Sequence, residues 1–159
     1  MDNLGDNSPF DTYWQDLLDD TAVIADEYEE KGWETLTLTP GDVTPRYDSE
    51  KPDGLSVLVP DPEYDRLSEL TDTGTFDNVE VYRNTGGPMV FVLVVEENTA
   101  DETAVLIPAY YNAVAHSEFV ETVESLGEMP IHVRALGGET AIRFVHDAVS
   151  LFTPDEESE

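Results

Sequence analysis

The sequence predicts an α+β fold: a mostly antiparallel sheet of about seven strands with three main helices packed on it. Three observations carry this expectation. Hydrophobic periodicity switches between the helical and extended types in the order helix, two strands, helix, three strands, helix, two strands. Short turns rich in Gly, Pro and Asn join successive strands, which favours antiparallel neighbours. The 159 residues contain no repeat and no linker, and that length is a prior for one domain. The expected boundaries are a flexible start at 1–7, one domain over 8–153 and an acidic disordered tail at 154–159.

The first helix opens at Ser8-Pro9, a capping hydroxyl before a first-turn proline. Its stripe is Phe10, Trp14, Leu17, Thr21, Ile24 and Tyr28, and Gly32 ends it. Glu34–Thr39 alternates Thr with Leu36 and Leu38, as a strand with one wet face does. Residues 40–54 are rich in Pro, Gly and Asp and are expected to form a long loop. Leu55–Val59 is a second strand. Asp61-Pro62 starts a short helix carrying Tyr64, Leu67 and Leu70, ending near Gly74.

Val79–Arg83 begins the middle group, and Asn84–Pro88 turns the chain into Met89–Val95. The unbroken apolarity of that segment marks a central strand covered on both faces. Thr103–Pro108 follows, and then a helix from Asn112 to about Leu126 with Ala115, Phe119, Val120 and Val123 inward. For the last group a strand and helix compete with a hairpin. The hairpin is preferred, because a Gly137-Gly138 turn sets Arg134 opposite Ala141 and His132 opposite Arg143. This register gathers Ile131, Val133, Ala135, Ile142 and Phe144 on one face. A helical turn is expected near Ala148–Phe152.

Charge bounds function more sharply than the fold does. There are 36 Asp and Glu against 7 Lys and Arg, a net charge of −29. So few cations cannot neutralise a run of phosphates, which excludes sequence-tolerant nucleic-acid binding and disfavours anionic membranes. No cysteine is present, so disulfides, thiolate metal sites and cysteine nucleophiles are ruled out. The longest apolar run, Met89 to Val95, is far below the ~20 residues of a membrane-spanning helix. The N-terminal residues show no basic stretch before an apolar one, so no secretory leader is expected.

Disorder would explain the charge in a chain poor in aromatic and β-branched residues. This one has 17 Val, 15 Thr and 15 aromatics. Mimicry of nucleic acid would need the carboxylates on one face, whereas here they recur on every predicted helix and loop. Adaptation to molar salt accounts for the spread. Lys31 and Lys51 are the only lysines, and at about 1 M salt the screening length falls to ~3 Å, so self-repulsion fades. The protein is therefore expected in a high-salt cytoplasm.

The stretches GWETLTLTPGDV, GLSVLVP with the following DPEYDRL, VEVYR, VFVLVVEE, AVLIPAYYN and MPIHVRAL resemble a family of uncharacterised acidic proteins from haloarchaea, over roughly residues 10–152. The resemblance implies the same salty cytoplasm. It supplies no catalytic residues.

Two constellations stand out. His132, Arg134, Arg143 and His146 are four of the ten Lys, Arg and His. The first three share the polar face of the hairpin, where arginine forks suit a carboxylate or phosphate. The competing reading makes them counter-ions for acids such as Glu139. Tyr110 and Tyr111 end a strand, and His116 lies in the next helix. Such a junction can hold a pocket with proton-passing groups, unless one tyrosine is core and the other rim.

No HxH, HxxxH or HExxH spacing points to a metal. Asp42, Asp48, Glu50 and Asp53 lack the calcium-loop pattern. No phosphate-binding loop and no nucleophile elbow is present. The function expected is a small non-enzymatic binding domain, with no cofactor, whose partner is another protein or a small anionic ligand. The alternatives are a small enzyme using Tyr110, Tyr111 and His116, and a nucleic-acid mimic.

Overall fold

The computed structural model describes residues 9–47, 52–138 and 140–154. Among them the chain forms α1 (Pro9–Glu30), β1 (Glu34–Thr37), β2 (Asp42–Arg46), β3 (Gly54–Val59), α2 (Asp61–Thr73), β4 (Asn78–Gly86), β5 (Met89–Asn98), β6 (Thr103–Asn112), α3 (Ser117–Leu126), β7 (Met129–Ala135), β8 (Ala141–His146) and a 3₁₀ turn at Val149–Leu151. The class is α+β, as expected, but the single sheet of seven strands is not formed. Two four-stranded mixed sheets replace it: sheet I in the order β1-β6-β5-β4, and sheet II in the order β2-β3-β7-β8.

The difference comes from long-range pairing. Local turns build the antiparallel pairs β4–β5, β5–β6 and β7–β8. After β1 the chain leaves sheet I, builds β2 and β3, and returns through α2. β1 then lies parallel to β6, and β3 parallel to β7. Neither parallel pair has a turn to announce it, because parallel neighbours are joined by long crossovers.

Part of the expected loop 40–54 is β2, which pairs antiparallel with β3. Pro45 and its polar neighbours disguise it, and proline is admitted here because β2 is an edge strand. β3 lies between β2 and β7, inside the sheet. β4 runs on to Gly86, so the turn before β5 is only Gly87-Pro88, with Gly87 at φ +60. α3 starts five residues later than expected. The Asn112 side chain accepts the backbone N–H groups of Val114 and Ala115, holding residues 113–116 in a turn first.

Sheet I is covered on both faces. Phe91, Leu93, Val95, Ala104 and Leu106 pack beneath the α1 stripe of Phe10, Trp14, Leu17, Ile24, Ala25 and Tyr28. Val90, Val92, Val94, Val105 and Ile107 face sheet II instead, meeting Leu55, Val57, Ile131, Val133 and Phe144. This double burial explains the uninterrupted apolar β5. α2 adds Leu67 to the space between the sheets, and α3 adds Phe119 and Val123. Each such buried side chain contributes about 1.5–3 kcal/mol. The layers are thus helix, sheet, sheet. No residue of the outer face of sheet II belongs to either core cluster.

Candidate functional site

The outer face of sheet II is built by strand alternation. Leu55, Val57, Ile131 and Val133 point inward, so Ser56, His132 and Arg134 point outward. The register gives a row across all four strands, Thr44–Ser56–His132–Arg143. The next row is Asp42–Leu58–Arg134–Ala141. Arg46 shares this face at the level of Gly54. Three of the chain's five arginines and one of its three histidines therefore stand on one sheet face. The hairpin register expected from the sequence is the one observed, and it is what unites His132, Arg134 and Arg143.

A cleft of about 520 Å³ opens here, lined by Arg46, Pro52, Ser56, His132, Arg134, Gly138 and Ala141. Two of its side chains are held rigidly. Arg134 Nε donates to the buried Ser56 hydroxyl at 2.8 Å, which fixes the guanidinium plane. His132 is 7% exposed, and its Nε2 meets the Asp53 carbonyl at 2.9 Å. A carbonyl only accepts, so Nε2 carries a proton and donates it to Asp53. No carboxylate is among the described residues lining this cleft, whereas three further surface cavities each include at least one: Glu124 and Asp147, Asp20, and Asp11 with Asp16. Glu139, the expected counter-ion, lies outside the described residues, as do Asp48 and Glu50.

Tyr110 and Tyr111 do not converge. Adjacent strand residues face opposite ways, so Tyr110 joins the aromatic cluster of Phe10 and Trp14, with ring centroids 5.0 Å from each. Tyr111 enters the space between the sheets, where its hydroxyl donates to the Phe152 carbonyl at 2.7 Å. Burial pushes the hydroxyls of both tyrosines up from their ordinary range. His116 sits in the turn before α3, with Nδ1 3.0 Å from the Tyr47 hydroxyl. The three residues thus have three separate environments.

The profile of a family of unknown function (DUF7529) matches residues 5–154, which takes in every helix and strand described above. The chain belongs to DUF7529. No curated protein and no solved structure matches it.

This DUF7529 chain also holds a polar pair that the sequence reading did not single out. Glu96 and Glu97 are the two buried carboxylates among the described residues, and they point opposite ways. Glu97 turns toward α1, accepting from the Tyr28 hydroxyl and, at 2.7 Å, from the Asn78 amide. Glu96 turns between the sheets and meets His146 Nε2 at 2.5 Å. His146 Nδ1 lies 2.8 Å from the Met129 carbonyl, and the Phe152 ring lies over the imidazole at 5.0 Å. Burial works against charge on His146. The Glu96 hydrogen bond and charge, the Met129 carbonyl and Asp147 outweigh it, so its pKa is raised. Both ring nitrogens are engaged, which makes this a tie between sheets. The signal was present in the sequence: Glu96 continues the stripe Val90, Val92, Val94 onto an inward position. Arg46 was missed because β2 was read as loop.

Among the described residues no group of three or more His, Asp or Glu is placed to hold a metal ion. No helix there is long and apolar enough to cross a membrane.

Proposed function

We propose that this DUF7529 chain is a salt-adapted, non-enzymatic binding domain of a haloarchaeal cytoplasm, and that the outer face of sheet II is where it takes a small anionic ligand. One observation carries the reading: Arg46, His132 and Arg134 line one cleft whose described lining has no carboxylate, in a chain of net charge −29. Scattered counter-ions would have no reason to concentrate in that way. The pre-set Arg134 fork favours a planar or tetrahedral oxyanion over a spherical chloride, because two parallel N–H bonds reward the right geometry. That selectivity is needed where chloride is abundant. The cleft also lies in the usual size range of small-molecule sites, about 300–1,000 Å³.

The test is calorimetric titration in molar KCl with inorganic phosphate and with small carboxylates, on the wild type and on Arg134→Gln. Saturable binding that the substitution weakens at least tenfold is expected. Absence of heat with every anion, or equal binding by both proteins, overturns the reading.

A further inference from the structure

We infer that the cleft on sheet II selects a ligand with two anionic groups at its ends, an inference that rests on the anion-binding reading above and goes on to name the ligand's class. The cations divide into two places. His132 and Arg143 are directly opposed across β7 and β8, and Arg134 is the diagonal neighbour of Arg143. Opposed and diagonal pairs stand about 5 Å and 7–8 Å apart. These three positions make a triangle on the outer face, of which His132 and Arg134 line the cleft while Arg143 flanks them on β8 outside its lining. Arg134 is tied through Nε to Ser56, and among the described residues no hydrogen bond engages its two Nη groups.

Arg46 stands elsewhere on the same cleft. It occupies β2 at the level of Gly54, while Arg134 occupies β7 at the level of Leu58. That is four residues along the strands and two strands across, roughly 16 Å between backbones. An anion seated in the triangle leaves Arg46 without a share in it. Pro52 and Ala141 line the cleft as well and offer apolar surface to a short spacer. Asp42 lies on the outer face in the Arg134 row, but it accepts the Thr44 hydroxyl and is not part of the lining. The geometry therefore favours a short dicarboxylate or a bisphosphorylated small molecule over a single-headed anion.

The experiment compares paired probes by calorimetry in molar KCl: glutarate and adipate against butyrate and hexanoate, and a hexose bisphosphate against the monophosphate. The two-headed member of the better pair is expected to bind at least tenfold more tightly. Arg46→Gln removes that advantage, weakening the two-headed probes far more than the one-headed ones. Arg134→Gln weakens both members. Circular dichroism in the same salt verifies that each variant is folded, and Arg46→Lys, which keeps the charge, recovers part of the advantage. Equal affinity of one- and two-headed probes overturns this inference while leaving the anion site standing, as does an Arg46→Gln loss shared equally by both. If no probe binds, the site and the inference fall together. Which pair shows the advantage identifies carboxylate or phosphate as the chemistry.

Discussion

His146 Nε2 lies 2.5 Å from Glu96 Oε2 in the space between the two sheets, so the last strand of sheet II is tied to the centre of sheet I by one hydrogen bond. Only a proton on that line lets both groups stay buried. A charged imidazole donates to both the carboxylate and the Met129 carbonyl, and the raised His146 pKa favours that state.

Stability should follow that proton. A histidine whose pKa is higher in the folded than in the unfolded state stabilises fully below the ordinary value of about 6.5. The contribution is lost as pH rises through the folded value. Urea midpoints in molar KCl should therefore fall as pH is raised from just below neutrality into the alkaline range, and His146→Gln should flatten that slope. A wild-type profile that is level or climbs across this range contradicts the assignment. Glu96→Gln, which removes the charge facing His146, should cost about 3–5 kcal/mol.

Gly54 occupies φ +133, and a Cβ added there would stand 2.3 Å from the Pro130 carbonyl oxygen. Backbone cannot yield as a side-chain tip would. Gly54→Ala should cost at least the ~1–3 kcal/mol typical of overpacking. The preceding residue, Asp53, anchors His132, so anion titration of this variant should be weaker too. A melting curve matching the wild type would contradict the close approach.

Tyr111 is nearly fully buried, and its hydroxyl holds the Phe152 carbonyl. Arg83 Nη1 secures the same segment through the Ser150 carbonyl at 2.8 Å and the Thr153 carbonyl. Tyr111→Phe keeps the ring and removes the donor, at a cost of about 1 kcal/mol. Combined with Arg83→Gln, it should raise amide exchange in residues 149–153 well before global unfolding. Unchanged exchange there would show that Phe152 packing alone seats the segment.

Salt dependence follows from the surface. Asp16, Asp19, Asp20, Asp26, Glu27, Glu29 and Glu30 are all exposed along α1, a helix without a single Lys or Arg. The screening length lengthens from ~3 Å at 1 M salt to ~10 Å at 0.1 M, so these charges repel one another once salt is removed. Far-UV circular dichroism should show a folded chain in molar KCl and loss of helix on desalting. Full structure in salt-free buffer would defeat the salt-adapted reading.

Periodicity and turn chemistry are local, and whatever they govern was legible in the chain. The α1 stripe, the doubly covered β5, the β7–β8 register and the short helical turn near Val149 could all be read without coordinates. The register in turn predicted that His132, Arg134 and Arg143 share a face. What pairs at long range was decided by the tertiary structure: β1 beside β6, β3 beside β7, and β2 at an edge behind Pro45. Those pairings added Arg46 and Ser56 to the cationic face and brought Glu96 to His146 across fifty residues. The reason is physical. Alternation along a strand is set by its own backbone, whereas the identity of its neighbour depends on which arrangement buries two sheets and a helix at once.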